Sequence, residues 1–97
     1  MGTDAGASAL QLIVARIQIY TTSWCGFCVR AKALLDSKGL EYDEIPLDDD
    51  PAFRQRLFDR TGGWTVPQIL IDDEPIGGYS ELRLLDRDGR LDERLAA

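Results

Sequence analysis

A chain of 97 residues, 44% of them apolar, holds enough for one globular domain with a modest core. Its 17 acidic and 11 basic side chains leave a net charge of −6 with no basic run, which argues against nucleic acid as a partner. Two cysteines are too few to staple a secreted scaffold, so a reducing, cytoplasmic setting is expected; the lack of histidine excludes a Cys–His nucleophile, and two thiols cannot complete a four-ligand zinc site.

Residues 1–14 read as an N-terminal extension, partly mobile, ahead of one domain over residues 15–97. Met1 to Ser8 is small and polar, whereas Leu10 to Val14 is apolar enough to pack on the domain. The start lacks a basic n-region and an Arg-rich amphipathic pattern, so neither a secretory signal nor a transit peptide is expected. The apolar stretch from Leu10 to Ile19 is interrupted by Gln11, Arg16 and Gln18 and is too short for a bilayer, so no membrane partner is expected.

Arg16 to Tyr20 reads as the first strand. Cys25 to Lys38 follows as a helix with Phe27, Ala31, Leu34 and Leu35 on its apolar stripe and Arg30, Lys32, Asp36 and Lys38 outward. Gly39 supplies the left-handed residue past its end, and Glu41 to Leu47 forms a second strand, parallel to the first after the helical crossover. Asp48-Asp49-Asp50-Pro51 signals a helix start by an Asp cap and a first-turn proline, the helix running to about Arg60 with Phe53, Leu57 and Phe58 inward. The triplet lacks the spaced ligands and bidentate Glu of a calcium loop. Thr61-Gly62-Gly63 breaks the chain, and Trp64-Thr65-Val66-Pro67 leads into a third strand, Gln68 to Ile71. After the Asp72-Asp73-Glu74 turn, Pro75-Ile76 begins a short fourth strand. Gly77-Gly78-Tyr79-Ser80 precedes a helix from Ser80 to about Arg87 with Leu82, Leu84 and Leu85 apolar, then an Asp88-Gly89 turn and a helical turn over Leu91 to Leu95. The order βαβ, α, ββα predicts an α/β fold: a four-stranded mixed sheet with helices on both faces.

The chemistry sits where the first strand meets the first helix, in Cys25-Gly26-Phe27-Cys28. Two thiols at this spacing form a redox arrangement. Cys25 at the helix entrance faces unpaired N–H groups, and Cys28 lies on the same face within reach, so Cys25 is the expected attacker and Cys28 the resolving partner. An unperturbed thiol has a pKa near ~8.5. Lowering it by about two units takes roughly 2.7 kcal/mol, more than a helix end supplies, so the Phe27 and Cys28 N–H groups are expected to donate to the sulfur as well. Two core cysteines that fall at this spacing by chance are the competing explanation, disfavoured by Trp24 and Gly26.

Three motifs in this order resemble the glutaredoxins, and in particular their short bacterial dithiol type. They are Cys25-Gly26-Phe27-Cys28 after a strand, Thr65-Val66-Pro67 before another, and Gly77-Gly78-Tyr79-Ser80 before the last helix, together with Ala31-Lys32-Ala33-Leu34-Leu35-Asp36-Ser37-Lys38-Gly39. The resemblance runs from about Ala15 to Leu95. It implies a thioredoxin fold with a cis peptide before Pro67, and reversible thiol–disulfide exchange with glutathione as reductant and glutathionylated or disulfide-bonded proteins as substrates. By position, Thr65 and Val66 match residues that hold the cysteinyl part of glutathione, with Phe27 and Pro67 in the same set. Gly78, Tyr79 and Ser80 match those that bind the γ-glutamyl carboxylate at a helix start, and Arg54 matches the residue that reaches the glycine carboxylate.

Three departures from the family pattern stand out. Thr22 replaces a frequent Lys, Trp64 replaces a frequent basic residue, and Gly26-Phe27 replaces Pro-Tyr. The first two weaken charge recognition of glutathione, leaving Arg54, Arg60 or Arg30 to compensate. The third, with Trp24, also resembles members in which two chains and two glutathiones share a [2Fe–2S] cluster through Cys25; such a protein is a dimer, whereas the enzyme is a monomer. Cys28 and the missing extra loop depart from the monothiol carriers. Finally, Tyr20 to Gly26 resembles the mycoredoxins, which use mycothiol, although the Gly77-Gly78 region favours glutathione.

Overall fold

Ile17 and Ile19 point to one side of their strand while Gln18 and Tyr20 point to the other, and the layers of the molecule follow from that alternation. The computed structural model of the chain describes residues 16–48 and 50–96. The expected extension, with Leu10 to Val14 against the domain, and Asp49 of the acidic triplet lie outside the described residues. Among the described residues the elements run β1 (Ile17–Thr21), α1 (Gly26–Ser37), β2 (Asp43–Pro46), α2 (Phe53–Thr61), β3 (Gln68–Ile71), β4 (Glu74–Gly77), α3 (Tyr79–Arg87) and α4 (Arg90–Ala96).

The strands lie in the order β2-β1-β3-β4. β1 pairs in parallel with β2, from Gln18↔Asp43 to Thr21↔Pro46, and antiparallel with β3, from Ile17↔Ile71 to Tyr20↔Gln68. This is the mixed sheet of a thioredoxin fold. On one face Ile17, Ile19, Ile69 and Ile71 pack with Ala31 and Leu35 of α1, Leu82 of α3, and Leu91 and Leu95 of α4. The alternation turns Gln18, Tyr20 and Leu70 to the opposite face, and α2 packs against β3 and β4 with Leu57 fully buried. Lys38 at the end of α1 donates to Asp86 of α3 (2.7 Å) and Asp92 of α4 (3.2 Å), fastening three helix ends together. Among the described residues no helix is long and apolar enough to cross a membrane.

Two expected boundaries move for local reasons. β2 is shorter than Glu41 to Leu47 because its ladder begins only at Asp43. The second helix begins at Phe53, not at Pro51. Asp50 first folds a separate turn, its carboxylate accepting the Ala52 N–H (2.9 Å) and its carbonyl the Phe53 N–H (3.1 Å).

Three apolar positions expected inside are outside. The buried stripe of α1 is Cys28, Ala31 and Leu35, which leaves Phe27 56% exposed on the first turn. Leu84 is 54% exposed, two positions round the helix from Leu82. Phe58 stacks on Trp64, ring centroids 4.4 Å apart, at the surface.

Under the sheet edge, Thr21 Oγ1 donates to Glu44 Oε2 (2.7 Å) and Lys32 Nζ reaches the same oxygen at 3.1 Å. The Thr21 hydroxyl foremost, then the Lys32 ammonium, hold the Glu44 carboxyl below its ordinary value. A carboxyl more acidic folded than unfolded adds stability above its unfolded pKa and loses it as pH falls through the folded value. Glu44→Gln is therefore expected to narrow the stability difference between pH 6 and pH 3, as read by urea unfolding at the two pH values. An unchanged difference contradicts the linkage.

Candidate functional site

β1 ends at Thr21, and the Thr22–Trp24 loop turns the chain into α1. The Ser23 N–H donates to Asp48 Oδ1 (2.7 Å), anchoring that loop to the segment after β2. Hydrogen bonding from Ser23 holds the Asp48 carboxyl below the usual carboxylate range. Cys25 then takes the N-cap position with extended backbone, φ −97° and ψ 107°, where a side-chain acceptor meets the helix's free N–H groups. Its sulfur is that acceptor: the Cys28 N–H lies 3.0 Å from Cys25 Sγ. Of the two donors expected, only Cys28 makes this bond among the described residues; Phe27 does not. Cys25 is partly exposed and Cys28 is 1% exposed. The two are joined as a disulfide, with Cα atoms 5.1 Å apart.

Across from the sulfur stands the loop between α2 and β3. The Val66–Pro67 peptide is cis, as the resemblance implies, and the Val66 carbonyl oxygen lies 3.5 Å from Cys25 Sγ. Buried Gln68 turns its amide back onto the Thr65 carbonyl (2.9 Å), and the Gly63 N–H donates to Thr61 Oγ1 (3.0 Å), fixing the loop from both ends.

The third wall is the start of α3. Gly77 has φ +111°, a conformation open to glycine and strained for other residues, and it turns the chain from β4 into the helix. Gly78 follows so close to the preceding loop that a Cβ there would sit 3.2 Å from the Pro67 carbonyl. Its N–H donates to Glu81 Oε1 (2.7 Å), the glutamate half of a capping box. The Tyr79 and Ser80 N–H groups at the helix mouth lie beyond that bond.

Between these walls lies an open groove of about 450 Å³, lined by Phe27, Thr65, Val66, Pro67, Gly78, Tyr79 and Ser80 among others. The structure thus brings together the expected residues other than Arg54. That guanidinium donates to the Trp64 carbonyl (3.0 Å) and lies 5.0 Å over the Phe53 ring, outside the groove lining, because the chain folds back over α2 after Gly63. Of the other proposed compensating cations, Arg60 pairs with Asp73 (2.9 Å) and Arg30 lies 5.6 Å over Phe27. Sequence reasoning missed Gln68 and Glu81. Glu81 was findable, since an acidic residue three positions after the N-cap is a capping signal; nothing local marks Gln68. Trp24, beside the active sulfur, is 78% exposed.

A family model described as Glutaredoxin matches residues 17–76. The chain is similar to Glutaredoxin 3 of Escherichia coli strain K12, 48% identical over 82 residues that cover 84% of this chain and 99% of the relative. It is also similar to a glutaredoxin of Pseudomonas aeruginosa, 46% identical over 81 residues, 84% of this chain and 96% of the relative. Among solved structures, a buckwheat glutaredoxin–glutathione complex superimposes with a TM-score of 0.76 at 33% identity, covering 96% of this chain and 88% of that one. The solution structure of glutaredoxin from Brucella melitensis does so with 0.76 at 39% identity, covering 87% and 91%.

Proposed function

The chain belongs to the glutaredoxin family and is a glutathione-dependent thiol–disulfide oxidoreductase; from that premise we propose that Cys25 attacks, Cys28 resolves, and the adjoining groove holds glutathione. One observation carries this assignment. Cys25, a partly exposed residue at the mouth of α1, accepts the Cys28 N–H on its sulfur at 3.0 Å, while Cys28 is 1% exposed. A sulfur that meets a substrate disulfide needs access, and Cys25 has it. The same N–H and the positive end of the helix favour negative charge on that sulfur once the disulfide is reduced.

Cys25 thiolate attacks the glutathionyl sulfur of a mixed disulfide, and the substrate cysteine leaves as thiolate. The enzyme then carries glutathione on Cys25. A second glutathione thiolate attacks that glutathionyl sulfur, forming glutathione disulfide and returning the Cys25 thiolate. With a protein disulfide, Cys25 forms a mixed disulfide with the substrate instead. Cys28 attacks Cys25 Sγ, the substrate leaves with both sulfurs reduced, and the internal disulfide is reopened by two glutathiones.

The extended glutathione backbone pairs with Val66, as an added strand would. Its γ-glutamyl carboxylate meets the Tyr79 and Ser80 N–H groups and the Ser80 hydroxyl at the start of α3, and its ammonium complements Glu81. Arg54 gives one N–H to the Trp64 carbonyl and keeps its other donors for the glycine carboxylate. We place this work in the cytoplasm, where a reducing glutathione pool drives it. A [2Fe–2S] cluster needs four ligands; among the described residues no group of three or more His, Cys, Asp or Glu gathers to hold a metal, so this chain would supply Cys25 alone, and a partner chain's thiolate and two glutathiones the rest.

The test is a Cys28→Ser protein carrying glutathione on Cys25. Its Tyr79 and Ser80 amide resonances are expected to shift most on glutathionylation, and Ser80→Ala to raise KM for glutathionylated substrate about three- to tenfold at nearly constant kcat. Shifts that spare α3 would remove glutathione from this groove.

A further inference from the structure

Across the Phe27–Tyr79 stack (centroids 6.2 Å apart) lies a second groove of about 270 Å³, sharing those two rings and Ser80 with the first. Its remaining wall is set by Arg30 of α1 and by Arg83, Leu84 and Arg87 of α3. No carboxylate lines it, although acidic residues outnumber basic ones 17 to 11 in the chain. Among the described residues seven ion pairs form, and none uses Arg30, Arg83 or Arg87. Glu81, the neighbouring acid on α3, is turned to the Gly78 N–H. The groove is thus a cationic strip on an anionic protein, beginning two residues from the reactive sulfur.

We propose that this groove docks an acidic, extended segment of the protein substrate, next to the cysteine held at Cys25; the proposal rests on the exchange chemistry above. Two features favour a polypeptide over a small anion, and a third favours an acidic one. Arg83 and Arg87 are one helical turn apart, about 6 Å along the axis, close to the roughly 6.8 Å between alternate side chains of an extended chain. Their spacing therefore suits carboxylates at every second position. Exposed Phe27 and Leu84, at 56% and 54%, offer apolar contact between the charges, which a small anion does not use. And a local positive field on a chain of net charge −6 selects for acidic partners that the rest of the surface repels.

The test uses three peptides with one glutathionylated cysteine, differing only in Glu, Gln or Lys at alternate flanking positions. At low ionic strength the wild type is expected to favour Glu over Gln about tenfold in kcat/KM, through KM, with the margin shrinking at 0.15 M salt. Arg83→Gln/Arg87→Gln is expected to cut that preference below about twofold while leaving the Gln peptide unchanged, and Arg83→Glu/Arg87→Glu to reverse it toward Lys. Equal use of Glu and Gln peptides by the wild type, or a preference that survives the double substitution, overturns the proposal. Inhibition by submillimolar pyrophosphate without peptide discrimination assigns the groove to small anions and overturns it too. Titrating the oxidised protein with the same peptides bearing Ser for Cys reads docking without chemistry. Glu preference in that titration with no turnover of any peptide supports the groove and refutes the enzymatic assignment instead.

Discussion

Cys25→Ser is expected to lower deglutathionylation by on the order of a thousandfold or more, while Cys28→Ser leaves it within about threefold of wild type. A hydroxyl at position 25 has no accessible low-energy anion and cannot form the enzyme–glutathione disulfide, so the first step is lost. Cys28 has a different place. Its side chain is buried, and what it lends to the first step is a backbone N–H to Cys25 Sγ, which serine supplies equally. Reduction of intramolecular protein disulfides is expected to suffer in both variants, because there the buried sulfur must attack the mixed disulfide. Steady-state rates on a glutathionylated peptide and on a protein disulfide separate the two behaviours. Equal loss in both variants on the peptide would refute the division of roles.

Leu82→Ala carries the largest expected loss of stability, about 2–5 kcal/mol, with a fall in Tm of roughly 10–25 °C for a domain of this size. Leu82 is fully buried where α3 meets the isoleucine face of the sheet, with Leu91 and Leu95 of α4 in the same cluster. The deletion leaves a cavity under the helix whose first turn carries Tyr79 and Ser80. Activity measured well below the new Tm is expected to fall through KM for glutathione, because those N–H groups are aimed by the packing beneath them. Leu84→Ala on the same helix, with its side chain 54% exposed, is expected to cost well under ~1 kcal/mol. Thermal unfolding of both variants checks the contrast, and similar losses would contradict the assignment of the helix faces.

Most of the fold could be read from spacing. Ile17-Gln18-Ile19 and Gln68 to Ile71 alternate or run apolar between turn residues, Gly39 takes the left-handed conformation expected of it, and Gly89 turns the chain where a turn was expected. What escaped was decided by tertiary partners. The sequence cannot say that Phe27 joins Tyr79, or that Phe58 joins Trp64, and not the core, because an aromatic ring at helical spacing suits either. It cannot show that Asp50 spends its carboxylate on a turn ahead of α2. The site was legible as three motifs because each does a backbone job: a helix mouth at Cys25, a cis bend at Pro67, a glycine turn at Gly77. Arg54 was the least legible, since a long flexible cation has many acceptors, and the Trp64 carbonyl takes it.

The outer rim at β2 bears on how the protein behaves when crowded. The Leu47 N–H points inward to Thr21 (2.9 Å), so the alternation turns the Pro46 nitrogen, which has no hydrogen, toward solvent, beside the acidic Asp43 and Glu44. A foreign strand finds an interrupted row of donors there, so this margin resists templated aggregation.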